Sequence, residues 1–211
     1  MAKERLIFKG VSEIVGSEDL GLLILTDVAK ERQITIVCDK AMAIQLELRM
    51  KHIPITKIML PEVLCSLLKN NMSFNFELII DNIVDGQYRT VVYNKETMES
   101  LLIRASDAVL LSIVANIPLY IEAGLMQRQS VIYKENARGV SLPVNTISDE
   151  MLQAALDKAI ADENYELASH LRDEKRRRKH DAAGQSGRGS DLSSREKEAG
   201  RVYHLGLLCH S

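Results

Sequence analysis

Residues 101–121 read LLIRASDAVLLSIVANIPLYI, and the parsing of this run decides the fold. Ser106 is a good helix N-cap, because its hydroxyl can accept from an unpaired first-turn amide, and Asp107 just inside suits the positive end of the helix dipole. From Ala108 to Ala115 only Ser112 is polar, which predicts a helix apolar nearly all round and buried in the core. Asn116 and Pro118 stop it, and residues 119–121 continue as a short strand. The run is therefore a strand, a buried helix and a second strand, with Arg104, Ser106 and Asp107 at the helix mouth. Charges set into so apolar a run need partners. On residue chemistry alone an Arg104–Asp107 salt bridge with a cap explains them, and a catalytic pair is the alternative.

Working outward, residues 5–15 and 21–28 are rich in β-formers around a turn-like Gly16-Ser17-Glu18-Asp19, and residues 33–38 repeat the pattern. They read as three strands of one meander. Asp39 can cap the helix that follows, where Met42, Ala43, Leu46 and Met50 recur at helical spacing as a core stripe. Pro61 and Glu62 open a second helix carrying Val63, Leu64, Leu67 and Leu68, which Asn70-Asn71 end. Residues 73–83 and 87–93 straddle Asp85-Gly86, the strongest hairpin signal in the chain. Asp81 and Asp85 are two carboxylates near each other, but the turn explains Asp85 and no further metal ligands accompany them. Residues 122–128 read as a short helix.

The stretch 131–146 has Gly139, Pro143 and no periodicity, and reads as a linker. A helical hairpin follows: Ser148 as N-cap, a face of Met151, Leu152, Ala155, Leu156 and Ala159, a turn at residues 162–164, then Tyr165, Leu167, Ala168 and Leu171. Two such helices cannot bury their faces alone, so the hairpin must dock on this domain, on another copy or on a partner. The basic run KRRRKH at 175–180 suits a solvated helix end, and could also touch phosphates or a membrane surface. Residues 181–200 are Gly/Ser-rich and polar and predict a disordered tail. The final RVYHLGLLCHS has a small apolar cluster, and His204, His210 and Cys209 make no convincing metal site.

The 211 residues allow one full domain plus an appendage, and 46% hydrophobic residues suffice for a real core. Trp is absent and aromatics are only 4%, so that core is aliphatic. Net charge is −2 with no basic domain, so bulk charge does not predict electrostatic capture of nucleic acid; a local patch would have to do it. Cys38, Cys65 and Cys209 follow no metal-ligand spacing, and Cys38 and Cys65 suit small core positions. The chain opens without a signal-like apolar segment, and no apolar run approaches the ~20 residues of a membrane span. A cytoplasmic setting with no membrane association is the expectation.

Residues 5–135 resemble the bifunctional nuclease family. The likeness rests on the paired N-terminal strands, the helix after IVCDKAMAIQLEL, the NIVDGQYRTVVY hairpin, and above all IRASDAVLLSIVANIPLYI. That last segment is similar to the family's Arg-Pro-Ser-Asp-Ala block, with Ala105 in place of the proline. Residues 147–178 are similar to a UVR domain, the helical hairpin of excinuclease subunits B and C and of certain protease adaptors. The matching residues are Leu156, Ala159, Tyr165, Glu166, Ala168, Leu171, Arg172, Asp173 and Glu174. One departure stands out. Family members often carry Thr-His-Asp at the start of the second helix, where this chain has Leu60-Pro61-Glu62, so a histidine that could act as base or ligand is missing. His52 lies ahead of that helix and reads as surface.

The resemblance implies a mixed, partly barrel-like β-sheet with flanking helices (residues 1–135, α+β), a linker (136–146), the hairpin (147–180) and a disordered tail (181–211). It implies hydrolysis of phosphodiester bonds in DNA and RNA. Such chemistry needs an activated water and stabilised phosphate charge, commonly through a divalent metal such as Mg²⁺ or Mn²⁺ or through an arginine. Asp107 is then the candidate for metal or water activation, Arg104 for phosphate charge, and Ser106 or nearby helix amides for a phosphate oxygen. Glu62, Asp81 and Asp85 are second-rank carboxylates. In the hairpin, Tyr165, Leu167 and Leu171 are candidate anchors for a protein partner, with Arg172 and Glu174 at the rim. The alternative is a non-enzymatic adaptor whose α+β domain is a scaffold or homo-oligomer core and whose hairpin recruits a DNA-repair or protease complex.

Overall fold

The structure, a computed structural model, describes residues 2–13, 19–69, 75–135, 139–184 and 204–208. Strands β1 (Lys3–Glu13), β2 (Leu20–Asp27) and β3 (Arg32–Asp39) are followed by helices α1 (Lys40–Met50) and α2 (Leu60–Lys69), with a 3₁₀ segment at Pro54–Ile58 between the helices. Next come β4 (Phe76–Val84), β5 (Gln87–Asn94), β6 (Ser100–Arg104), α3 (Ala105–Ala115), β7 (Leu119–Glu122), α4 (Ala123–Gln129) and β8 (Val131–Ile132). After β9 (Gly139–Pro143) and a 3₁₀ turn, α5 (Asp149–Ala161) and α6 (Tyr165–Gly184) form the helical hairpin, and β10 (His204–Leu208) follows. The described residues divide into two compact units, one running to Ser141 and one beginning at Leu142, with residues 85–87 belonging to the second and residues 206–208 to the first.

The first unit is an α+β domain on an eight-stranded mixed sheet of order β6-β5-β4-β7-β1-β2-β3-β8. Strands β4 and β7 run parallel; the α3 crossover that joins β6 to β7 carries the chain past β5 and β4 to make this pair. β1, β2 and β3 are the expected antiparallel meander, with a bulge at Phe8/Gly10. Leu23, Leu25, Ile34, Ile36, Leu78, Ile80 and Ile121 supply the sheet's share of the core, and Met42, Leu46, Val109, Leu125 and Met126 cover it from the helices. At Gly21 an added Cβ would lie 2.7 Å from that of Ala43, so glycine there lets α1 close down on β2. Asp85 (φ 50°) and Gly86 (φ 74°) both adopt the left-handed region that a two-residue hairpin turn needs, in line with the Asp-Gly signal.

Two local readings change. The α1 stripe is Met42, Ala43, Leu46 and Arg49; Met50 is 45% exposed and Arg49 is buried instead. Arg49 donates there to Gln45 (main-chain O at 2.7 Å, Oε1 at 2.8 Å) and to Glu62 at 2.7 Å. Helix α3 starts one residue before Ser106, so its N-cap is Arg104, whose extended backbone (φ −64°, ψ 142°) is also the last residue of β6. Ser106 is thus the second helical residue, buried, and Ala105 occupies the first helical position. A proline would be tolerated at that position too, because its missing N–H has no intrahelical partner.

The second unit is held by the hairpin. Ser148 caps α5 by accepting from the Met151 amide at 3.3 Å, as its sequence predicts, and Leu152, Ala159 and Leu171 are buried between the helices. Arg178 fastens the base: it donates to the carbonyls of Ile147 (2.7 Å) and Val144 (3.1 Å) and pairs with Asp149 and Glu174. Part of the basic run is therefore structural. The region read as a linker contains β9 and a 3₁₀ turn, and α6 runs on to Gly184. Residues 185–203 and 209–211, with most of the tail predicted to be disordered and with Cys209 and His210, lie outside the described residues.

Candidate functional site

The junction of β6 with α3 gathers charge. Because β6 ends at Arg104 and α3 begins at once, Asp107 returns over the arginine one turn later. Arg104 donates from Nε to Asp107 Oδ2 at 2.6 Å and from Nη2 to Oδ1 at 3.1 Å, a two-pronged grip. Arg104 Nη1 also stands 3.5 Å from Asp39 Oδ2. Asp39 bridges two tasks, since its Oδ1 accepts from the Met42 amide at 2.7 Å and caps α1. The bond to Asp107, its negative charge and that of Asp39 hold the Arg104 guanidinium above its ordinary pKa, so it is always charged. The neighbouring Cys38 is buried, and its thiol is pushed up to about 12, first by burial and then by Asp39, against opposing effects of the Gly21 amide and Arg104. It is an inert thiol at neutral pH.

A second arginine faces the same way. In the antiparallel β5–β6 pair Arg89 lies directly opposite Arg104, so both side chains emerge on one face. Arg89 Nε is 3.8 Å from Asp81 Oδ1 on β4, and that oxygen has no hydrogen-bond partner. A charged row results, two adjacent arginines flanked by carboxylates: Asp81, Arg89, Arg104, Asp107 and Asp39. Sequence reasoning does not single out Arg89 or Asp39 for chemistry. Arg89 stands inside the NIVDGQYRTVVY hairpin, but only the pairing register sets it beside Arg104, and Asp39 already has a sufficient explanation as a cap.

The other candidates sit differently. Ser106 is 6% exposed, one residue inside the helix. Glu62 accepts from the buried Arg49, so this second-rank carboxylate serves an ion pair between α1 and α2. Asp85 is an exposed turn residue of the β4–β5 hairpin. In the helical hairpin Tyr165 is 69% exposed and Arg172 is exposed, whereas Leu171 is fully buried between the helices. Glu174 joins Arg177 and Arg178; burial opposes its charge, but bonds from both arginines outweigh this and hold its carboxyl below the ordinary glutamate range. Leu171 and Glu174 therefore serve the hairpin's own packing rather than an outward surface.

Among the described residues no three or more His, Cys, Asp or Glu side chains group so as to hold a metal ion. Asp107 has both oxygens on a guanidinium, and Asp39 turns one to a helix amide and the other towards that guanidinium, so this donor set does not fit a resident divalent ion. No described helix is long and apolar enough to cross a membrane.

Magnitudes bear on what the charged row is for. An exposed pair such as Arg104–Asp107, at 64% and 32% side-chain exposure, stabilises a fold by only about 0.2–1 kcal/mol. Two arginines directly opposite each other on adjacent strands are mildly unfavourable. Stability thus gives little reason for this arrangement, while an anion would satisfy it. In comparison with known proteins, residues 23–134, more than half of the chain, match the bifunctional nuclease domain, a span that includes the five residues of the charged row and stops before the helical hairpin. No curated protein matches the chain. On the extent of that match, the chain belongs to the bifunctional nuclease domain family.

Proposed function

We propose that the chain is a nuclease that hydrolyses phosphodiester bonds in DNA and RNA, with its site at the β5–β6–α3 junction. The observation that carries this is the pair Arg89 and Arg104, opposed across adjacent strands on one face and each next to an aspartate. Two guanidiniums side by side suit a phosphodiester, whose charge grows on its equatorial oxygens in the transition state. Asp107 acts in the resting state as a positioning residue, holding the Arg104 fork in plane. When Arg104 turns to a phosphate, Asp107 regains free oxygens and can accept a proton from water. Asp81, beside Arg89 and with its side chain 24% exposed, is the second carboxylate able to do so. Ser106 contributes through the first-turn amides rather than through its buried hydroxyl. No step is assigned to Mg²⁺ or Mn²⁺.

The hairpin of residues 147–180 is read as a UVR-like module for a protein partner, with exposed Tyr165 and Arg172 and half-buried Leu167 as the contacts. Equal recovery of binding partners with and without residues 147–180 would count against it.

The alternative of a non-enzymatic adaptor has one observation in its favour. At the helix start where the family often has Thr-His-Asp, this chain has no histidine and its Glu62 is engaged by Arg49. The experiment that separates the two is incubation of purified protein with labelled single- and double-stranded DNA and RNA, with Mg²⁺, with Mn²⁺ and with chelator. Cleavage above the background of an Asp107→Asn preparation is expected. Cleavage in the chelator arm would agree with the donor set described above, and cleavage only with metal would restore a metal to the site. Absence of cleavage in every arm would move the assignment to an adaptor.

A further inference from the structure

We propose that the outward face of α2 is a self-association surface, on which a second copy of this chain docks about a two-fold axis. Helix α2 is strongly amphipathic, yet it is turned inside out. Its apolar stripe, Leu60, Val63, Leu64, Leu67 and Leu68 at spacings of three, four, seven and eight, is 40–69% exposed, and Ile58 just before it is 73% exposed. The helix is anchored instead through Cys65, which is buried, and through the Glu62–Arg49 ion pair. Together the six side chains leave on the order of 600 Å² of apolar surface in water, at the top of what a monomer usually shows as one patch and close to the roughly 800 Å² per partner of a standard interface once a rim is added.

The chemistry of the stripe selects its occupant. From Val63 to Leu68 there is no charged residue, which gives nothing for nucleic acid to bind, and a lipid-surface helix would be rich in lysine and arginine, whereas the sequence of α2 has a single lysine and no arginine. A second copy offers the same leucine ridges. In an antiparallel crossing about a two-fold axis the same patch serves both partners, and the two helix dipoles oppose. Ten residues make a helix about 15 Å long, enough for leucines of two to three turns to interdigitate.

The test is the mass of the full-length chain in solution by light scattering and sedimentation equilibrium, from roughly 1 to 100 μM, a range that brackets micromolar association. Wild type is expected to be a dimer. Leu64→Glu with Leu67→Glu, and the milder Leu64→Gln with Leu67→Gln, are expected to weaken association by about 100-fold or more with unchanged circular dichroism. Val28→Glu, at an equally exposed apolar residue in the β2–β3 turn, is expected to leave the dimer intact. A wild-type monomer at the highest concentration would overturn the proposal, as would a dimer that survives both double variants. So would loss of the fold in both, because residues that hold the fold are not a free surface. Binding of monomer to phosphatidylcholine/phosphatidylglycerol vesicles, lost in the same variants, would assign the face to lipid instead.

Discussion

Replacing Glu62 by alanine should destabilise the first unit by about 2–3 kcal/mol while leaving any nuclease activity of the folded protein within a few-fold of wild type. The Arg49 side chain is only 4% exposed and its Nε already lacks a partner, so Glu62, at 2.7 Å and 22% exposed, is the carboxylate that balances its charge. A hydrogen bond to a charged group contributes about 1.5–3 kcal/mol, and breaking a fully buried pair costs about 3–5 kcal/mol because an uncompensated charge remains. Glu62 keeps some contact with water, which places the loss at the lower end. For a domain of this size that corresponds to a drop in Tm of roughly 4–12 °C. Urea denaturation followed by circular dichroism at neutral pH measures it. Arg49→Met combined with Glu62→Leu should recover most of the loss, since replacing both partners by apolar groups leaves no charge to desolvate. A loss under about 0.5 kcal/mol for Glu62→Ala, or a double variant no more stable than the single one, would refute the reasoning. Full stability with activity abolished would return Glu62 to the chemistry.

Four further outcomes follow from the same geometry. Leu171→Ala should cost about 2–5 kcal/mol in the melting of the hairpin, whereas exposed Tyr165→Ala should change it by less than about 0.5 kcal/mol, so only the latter can report on partner binding by pull-down. Because the Glu174 carboxyl titrates below its ordinary value, its stabilising effect is complete above about pH 4.3 and is lost as pH falls through the lowered value; thermal melts between about pH 7 and 3 should show this, and Glu174→Gln should flatten the dependence. Cys38 should resist alkylation by iodoacetamide at about pH 8 in the folded protein and react on unfolding, as read by mass spectrometry. Asp39→Ala removes the α1 cap and one of Arg104's neighbours, and should lower stability by about 1 kcal/mol in urea titration.

Much of the fold is legible in the sequence because local signals agree. The Asp85-Gly86 turn, the stop at Asn116 and Pro118, and the Ser148 cap each depend on conformations that few residues supply, and each stands where its sequence predicts. Legibility fails where the outcome depends on long-range pairing. Arg89 and Arg104 are brought together by the β5–β6 register, which no local pattern encodes, so recognising the hairpin does not single out its arginine. Likewise the periodicity of α1 fits Met50 as well as Arg49, and the choice is made by Glu62 arriving from another helix. The α2 stripe is the sharper lesson. Periodicity reports that a face is apolar, not what covers it, and here the described chain does not.

The most direct test of the central claim is kcat/KM on a fluorogenic single-stranded oligonucleotide, for wild type and for Arg104→Ala, Arg89→Ala and Asp107→Asn, each first matched for its melting temperature. If the opposed arginines hold the phosphodiester, Arg104→Ala should fall by about 100-fold or more and Arg89→Ala should also fall, with no loss of fold. Cleavage that is unchanged in Arg104→Ala and Arg89→Ala would contradict the account, and so would a wild type indistinguishable from all three variants.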